Sequence, residues 1–316
     1  MTRASTPALA SFADDVREYL RRTPRQLPSR YLYDPLGSAL FDAICELPWY
    51  GITRAENRLL AAHRDEVFAQ LPGLANLVEL GPGDGRKLLK LVEHTSAPLT
   101  AHLVDVSSSA LSRAAHTLSD AVNVRVLTYE ASFEEGLDEI ANLDLESPPL
   151  VMLLGSNIGN FDPDESLALL RRIRASLKPG GALLIGADLV KHERTLVAAY
   201  DDPLGVSSAF NLNVLLRINR ELDANFDIRA FRHRAIWNPG CSRMEMFAVA
   251  TRAQRIHIRT VGLRFDLPAG EPIWTETSYK YTPEGLNERL RQADFEPAAQ
   301  WIDHQDAFAL SLARTG

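Results

Sequence analysis

Cysteine is nearly absent: Cys45 and Cys241 are the only two in 316 residues. Thiols so few and so far apart make neither a disulfide framework nor a zinc site, and they point to a reducing cytoplasm. Long hydrophobic runs are missing too. Nothing approaches the ~18 consecutive apolar residues of a membrane span, and the first 15 residues lack the apolar stretch of a signal peptide. Positive charge is not in excess: 34 Lys and Arg face 41 Asp and Glu, a net charge of −7. That argues against an electrostatic nucleic-acid binder, which needs a basic face. The eight histidines show no H-x-x-x-H pairing, so no protein metal site is expected. No G-x-S-x-G elbow points to a serine hydrolase, and no G-K-[ST] points to a phosphate loop of the Walker type. Repeats and low-complexity tracts are also missing. What remains is 46% apolar and 24% charged, enough for a real core in one large domain or two ordinary ones.

The chain is organised around Leu77-Val78-Glu79-Leu80-Gly81-Pro82-Gly83-Asp84-Gly85-Arg86-Lys87. A short apolar run stops at a glycine-rich turn and passes into the amphipathic segment 87–93, as in the first βα unit of a nucleotide-binding sheet. An ordinary strand-to-helix turn explains one glycine, not three within five residues. Arg86 stands where the third glycine of the dinucleotide fingerprint would be, which leaves nicotinamide and S-adenosylmethionine sites as rivals. A second strand, 101–104, ends at Asp105, 20 residues beyond Gly85. An acid there accepts ribose hydroxyls in doubly wound sheets, and its bland alternative is a helix cap near Ser109.

Further βα units follow. Strand 124–129 runs toward Phe133, near which an adenine ring usually lies in such folds, and strand 150–154 enters Gly155-Ser156-Asn157-Ile158-Gly159-Asn160. Asp162, Pro163 and Glu165 supply the cap, first position and third position of a helix that ends at Lys178-Pro179-Gly180-Gly181, before strand 182–186. Consecutive βα units imply a parallel sheet with right-handed crossovers. The Leu177-Lys178-Pro179-Gly180-Gly181 turn looks like that of class I methyltransferases and tips the choice to S-adenosylmethionine. Upstream, helices are expected over 12–22 and 39–47, then a long one from a Thr53/Glu56 capping box toward Phe68. After 190 the pattern changes to a helix at 210–222 and strands at 231–237, 243–251, 255–260 and 274–281, before a helix at 283–293 and a late strand at 307–312. The expected fold is a class I, Rossmann-like α/β domain with a final antiparallel strand, over 55–190 and 281–316. A second α+β lobe is expected over 8–54 and 191–280. Glu276, Ser278 and Lys280 alternate along one strand, so they share a face. Sequence alone favours a solvated face over a pocket wall.

Longer segments carry a resemblance. Tyr31-Leu32-Tyr33-Asp34-Pro35-Leu36-Gly37-Ser38, Leu47-Pro48-Trp49-Tyr50-Gly51-Ile52-Thr53-Arg54-Ala55-Glu56, Leu154 to Asn160, Leu189-Val190-Lys191, Ala198-Ala199-Tyr200-Asp201-Asp202 and Thr275-Glu276-Thr277-Ser278 resemble the histidine Nα-methyltransferases that make hercynine in ergothioneine biosynthesis. The resemblance spans about Leu27 to Ala313. It implies that Asn160 and Tyr200 hold a histidine carboxylate, that Glu276 and Ser278 grip the imidazole, and that Met246 lines its pocket. Tyr33 and Tyr50 would sit near the amine and the methyl donor, in catalytic roles, with Tyr50 touching both substrate and cofactor. Gly81, Gly83, Lys87, Asp105, Ser132 and Phe133 fall at cofactor positions. Two departures are visible: the loop lacks the family's Ser/Thr-rich character, and Ser132-Phe133 replaces a common Asp-Phe. The expected partner is a small molecule, L-histidine, without nucleic acid or membrane, and the chain is expected to act as a monomer. The competing readings are a relative acting on another amino acid, such as a tryptophan-like one, and a non-catalytic binding homologue.

Overall fold

The computed structural model describes residues 6–143, 145 and 147–316. In chain order, helices α1 (Thr6–Tyr19) and α2 (Pro35–Cys45) precede the long α3 (Gly51–Gln70). Asp34 caps α2, and Pro35 occupies its first turn. This helix therefore starts four residues before the expected position, because the Asp-Pro pair nucleates it ahead of the apolar stripe. Thr53 is no cap either: α3 begins at Gly51, and Glu56 is buried within it. Alternating units follow: β1 (Asn76–Leu80), α4 (Arg86–Val92), β2 (Leu99–Asp105), α5 (Ser108–Leu118), β3 (Val124–Glu130), α6 (Phe133–Ala141), β4 (Leu150–Leu153), α7 (Pro163–Ser176) and β5 (Ala182–Asp188). Asp162, Pro163 and Glu165 take the expected cap, first and third positions of α7, and they form a capping box in which Glu165 Oε2 accepts from the Asp162 N–H at 3.1 Å. Then come α8 (Glu193–Tyr200), α9 (Val206–Leu222), β6 (Phe231–Asn238), β7 (Arg243–Ala250), β8 (Gln254–Ile258), β9 (Leu263–Leu267), β10 (Pro272–Tyr279), α10 (Pro283–Gln292), β11 (Phe295–Asp303) and β12 (Phe308–Thr315). Elements α8, β9 and β11 have no counterpart in the sequence reading. No helix among the described residues is long and apolar enough to cross a membrane.

The chain forms two compact units: the described part of Met1–Tyr50 with His192–Ser278, and Gly51–Lys191 with Tyr279–Gly316. The second unit holds a seven-stranded sheet in the order β11-β12-β5-β4-β1-β2-β3. Strands β1 to β5 pair in parallel, and β12 runs antiparallel to both β5 and β11. Strands β4 and β5 are buried along their whole length, which suits central strands covered on both faces. The chain winds outward from β1 through β2 and β3, then returns to β4 on the other side of β1. Ligands of doubly wound sheets bind at such a reversal, beyond the carboxyl ends of the strands. The first unit carries the sheet β10-β7-β6 and the hairpin β8-β9. The β6/β7 register pairs Ala235 with Met246 and His233 with Ala248.

Candidate active site

In the second unit the turn after β1 carries three glycines in the left-handed region, Gly81 at φ +72, Gly83 at +60 and Gly85 at +80. At Gly81 space is closed as well as the dihedral: a Cβ would lie 3.0 Å from Asn157 Nδ2 and 3.3 Å from the Phe133 ring. Around Gly83 a Cβ would meet nothing within 4 Å, so that backbone borders open space. Lys87, in the first turn of α4, places its ammonium 2.9 Å from Glu56 Oε2. Glu56 is fully buried and also accepts the Gly155 N–H, at 2.8 and 2.9 Å to its two oxygens. Gly155 has φ +76, and a Cβ there would lie 2.6 Å from Lys87 Nζ. One carboxylate on α3 thus ties the loop after β4 to the lysine after the glycine turn.

Glu79, two residues before Gly81, is 1% exposed, and its Oε2 is buried with no hydrogen-bond partner. Burial pushes its carboxyl up to about 8, against the pull of Lys87 and with the repulsion of Glu56 and Asp84 adding to the rise. An orphaned carboxyl oxygen beside a glycine cradle fits a cationic ligand group, and S-adenosylmethionine carries an α-ammonium and a sulfonium. The residues present therefore fit that cofactor.

Asp105 ends β2 half-buried, with Oδ1 accepting the Ser107 N–H at 2.8 Å. Burial raises its pKa, against the Ser107 amide and Arg113, which lower it. The cap of α5 is Ser107, not Asp105. Ser132 caps α6, and its hydroxyl and N–H lie 2.9 and 3.0 Å from Glu135 Oε2. Phe133 stands beside Gly81. Asn160 ends the 3-10 turn Asn157–Asn160, half-buried.

In the first unit, Tyr200 and Ser278 are buried, and the tyrosine hydroxyl donates to Ser278 Oγ at 2.8 Å. Glu276, in the same strand, is 8% exposed, and Met246 is 2% exposed on the neighbouring β7. The Thr275 hydroxyl lies 2.9 Å from the Met246 carbonyl and so brings this pair of strands together beside Glu276. The solvated face favoured by the sequence is thus corrected. Glu276, Ser278 and Lys280 are all buried, and Lys280 pairs with the buried Asp188 at 3.0 Å. Tyr33 packs edge-on against Phe41 and Phe210, each at 5.4 Å, and Phe41 meets Tyr50 at 6.1 Å. Next to Tyr33, Asp34 accepts from the Gly37 N–H and Asn213 Nδ2, both at 2.7 Å, and from Arg220 at 2.6 Å. Burial alone would raise the Asp34 carboxyl, but these three donors outweigh it and hold the pKa below its ordinary value. The aromatic cluster is pinned where α2 begins.

The sequence reading missed Glu56 as a site residue, Glu79, and the buried side chains behind Tyr200 and Glu276. Glu79 left a signal, an acid at the end of the first strand, and Glu56 left a misleading one, the form of a capping box. Among the described residues no cluster of His, Cys, Asp and Glu is placed to hold a metal ion.

A mostly parallel sheet closed by an antiparallel strand, with a glycine turn after its first strand and an acid after its second, defines a class I S-adenosylmethionine-dependent methyltransferase. A family described as histidine-specific, S-adenosylmethionine-dependent methyltransferases matches residues 12–315. A histidine N-alpha-methyltransferase of Mycobacterium tuberculosis is 40% identical over 303 residues, covering 95% of this chain and 93% of its own. Its namesake in Mycolicibacterium smegmatis is 38% identical over 314 residues, covering 98% and 97%. Ergothioneine biosynthesis protein 1 of Neurospora crassa is 26% identical over 279 residues, which are 83% of this chain and 32% of that protein. This chain belongs to the histidine-specific methyltransferase family, and S-adenosylmethionine is its cofactor.

Proposed function

We propose that this protein methylates the α-nitrogen of L-histidine, three times, to give hercynine, as a monomer in the cytoplasm and as a step toward ergothioneine. The observation that carries the reading is Glu276, a carboxylate 8% exposed beside the hydrogen-bonded Tyr200–Ser278 pair. An imidazole offers N–H donors, and a desolvated carboxylate is their specific acceptor. In the first unit Glu276 and Ser278 take the imidazole, Tyr200 takes the carboxylate, and Met246 lines the side-chain pocket. Tyr33 and Tyr50 attend the amine, and the face of Tyr50 suits a product that ends as a quaternary cation. In the second unit Asn160 is assigned to the carboxylate. Gly81, Gly83, Lys87, Asp105, Ser132 and Phe133 are assigned to the cofactor, with Glu79 added for its ammonium. S-adenosylmethionine supplies an electrophilic methyl group on a sulfonium. The chain's own task is alignment and exclusion of water. A free α-amino group titrates at about 8, so a neutral fraction exists near pH 7 and no strong base is needed. Tyr33 orients the amine and hands its proton to water.

The test is incubation of the purified protein with S-adenosylmethionine and a pool of the standard amino acids, read by mass spectrometry. Trimethylhistidine as the dominant product supports the reading, and a methylated product of another amino acid overturns the assignment of Glu276.

Glu79 gives a separate prediction. Its carboxyl is raised to about 8 in the fold, above an ordinary value of about 4.3. The stability it contributes is present in full below that ordinary value and is lost as pH rises through about 8. Glu79→Gln removes the ionisation. Without cofactor, the variant is expected to melt several degrees above the parent at pH 9, with the gap closing toward pH 5, as thermal scans at both pH values will read. Calorimetry in buffers of different ionisation enthalpy should also show that the parent releases a proton on binding S-adenosylmethionine and that the variant does not.

A further inference from the structure

Behind the substrate-side residues of the first unit lies a chain of buried polar groups. His233, on β6, has 2% of its side chain exposed. Its Nε2 lies 2.8 Å from the Tyr200 carbonyl, and its Nδ1 lies 2.8 Å from Asn211 Nδ2 on α9. A carbonyl only accepts and an amide nitrogen only donates, so Nε2 carries the proton and Nδ1 is bare. The Asn211 amide is oriented from two other sides. The same Nδ2 donates to the Phe247 carbonyl at 3.0 Å, and the Thr275 hydroxyl lies against Oδ1. That hydroxyl also neighbours the Met246 carbonyl. The chain therefore runs from the backbone of Tyr200 through His233 and Asn211 to Thr275, the residue before Glu276. Asn211 is 0% exposed and Thr275 1%. Burial holds the imidazole pKa below its ordinary value, only partly countered by the Tyr200 carbonyl and by Asp201 and Asp202. The ring stays neutral, and the donor–acceptor order of the chain is preserved.

We propose that His233 is a positioning residue of the histidine pocket: donating from Nε2 to the Tyr200 carbonyl and accepting at Nδ1 from Asn211, it sets the α8 tyrosine and the β10 residues in one arrangement. The inference rests on the reading of Tyr200, Glu276 and Ser278 as histidine ligands. A purely space-filling role would need only a ring of this size at this place. Here each polar atom of ring and amide has a particular partner, with the single Thr275 hydroxyl proton shared between Asn211 Oδ1 and the Met246 carbonyl. A buried network in that state specifies one geometry, whereas a half-satisfied one is worse than an apolar core.

The test uses the full-length protein and its His233→Phe, His233→Gln, Thr275→Val and Tyr200→Phe variants. It measures kcat and KM for L-histidine and the calorimetric Kd for S-adenosylmethionine. His233→Phe keeps a flat ring, somewhat larger than imidazole, and loses both hydrogen bonds. It is expected to raise the histidine KM by about tenfold, with kcat and the cofactor Kd within about twofold of the parent. His233→Gln can place its amide N–H where Nε2–H stood, and it is expected to restore KM to within about threefold. Thr275→Val cuts the chain at its other end with little change of shape, is expected to raise KM by about fivefold, and decides the matter if the phenylalanine variant does not fold. The proposal is overturned if KM stays at the parent value in His233→Phe or Thr275→Val, or if kcat, KM and cofactor Kd all shift together. Tyr200→Phe tests the underlying reading. An unchanged histidine KM there removes the pocket assignment and the proposal with it. A raised KM there with no effect at His233 keeps the pocket and removes only the proposal.

Discussion

Replacing Glu276 by alanine is expected to lower kcat/KM for L-histidine by about 100-fold while leaving the Kd for S-adenosylmethionine within about twofold. The residue is 8% exposed, so under the proposed assignment its carboxylate would meet the imidazole N–H where water competes little for it. A charge-assisted hydrogen bond in such a place is worth about 1.5–3 kcal/mol, and each 1.36 kcal/mol is tenfold in rate. On the same assignment, truncation would leave a substrate donor buried and unpaired, which is how hydrogen-bonding sites discriminate most strongly. Glu276→Gln keeps an acceptor and loses the charge, so it should fall between the parent and the alanine variant. Steady-state kinetics with histidine, set against an aromatic amino acid such as tryptophan, reads the outcome. Equal losses on both substrates would show that Glu276 supports the fold of β10 and does not read the imidazole.

That prediction concerns a residue that sequence alone would have left on the surface. Alternation along 274–280 fixes which side chains share a face, but burial of that face depends on packing that no local pattern encodes. The parallel sheet was legible for the opposite reason. Apolar runs, glycine turns and the Asp162-Pro163-Glu165 helix start are local signals, and the structure honours them. Strand β11 was missed because it runs half-exposed along most of its length, at the edge of the sheet, without clean alternation. Helix α8, with eight residues, lies close to the shortest span in which a 3.6-residue period can be read. Of the residues singled out by resemblance, Tyr200 and Ser278 are in direct contact, and Tyr33 joins Tyr50 through Phe41. The His233–Asn211–Thr275 chain was invisible in sequence because its members come from β6, α9 and β10, and nothing in their spacing links them.

Glu56 shows how a local signal can mislead, and it is where the second large effect is expected. Thr53-Arg54-Ala55-Glu56 has the form of a capping box, yet the carboxylate accepts from Gly155, 99 positions away, and pairs with Lys87. Glu56→Ala leaves the Gly155 N–H without that acceptor and deprives the ammonium of Lys87, whose side chain is 24% exposed, of this buried partner. Removing one member of a buried ion pair costs about 3–5 kcal/mol. Partial exposure of the lysine places this case at the lower end, a fall in Tm of about 6–10 °C. The cofactor side should suffer as well, since the same carboxylate fixes Lys87 and the loop after β4. Glu56→Gln separates the two effects. Its amide oxygen can still accept from Gly155 while its amide nitrogen, a donor, faces the ammonium. Most of the melting temperature should survive in that variant, while the calorimetric Kd for S-adenosylmethionine rises by about tenfold. An unchanged Kd would remove the proposed link between the Glu56–Lys87 pair and the cofactor, and Glu56 would then be a residue of the fold alone.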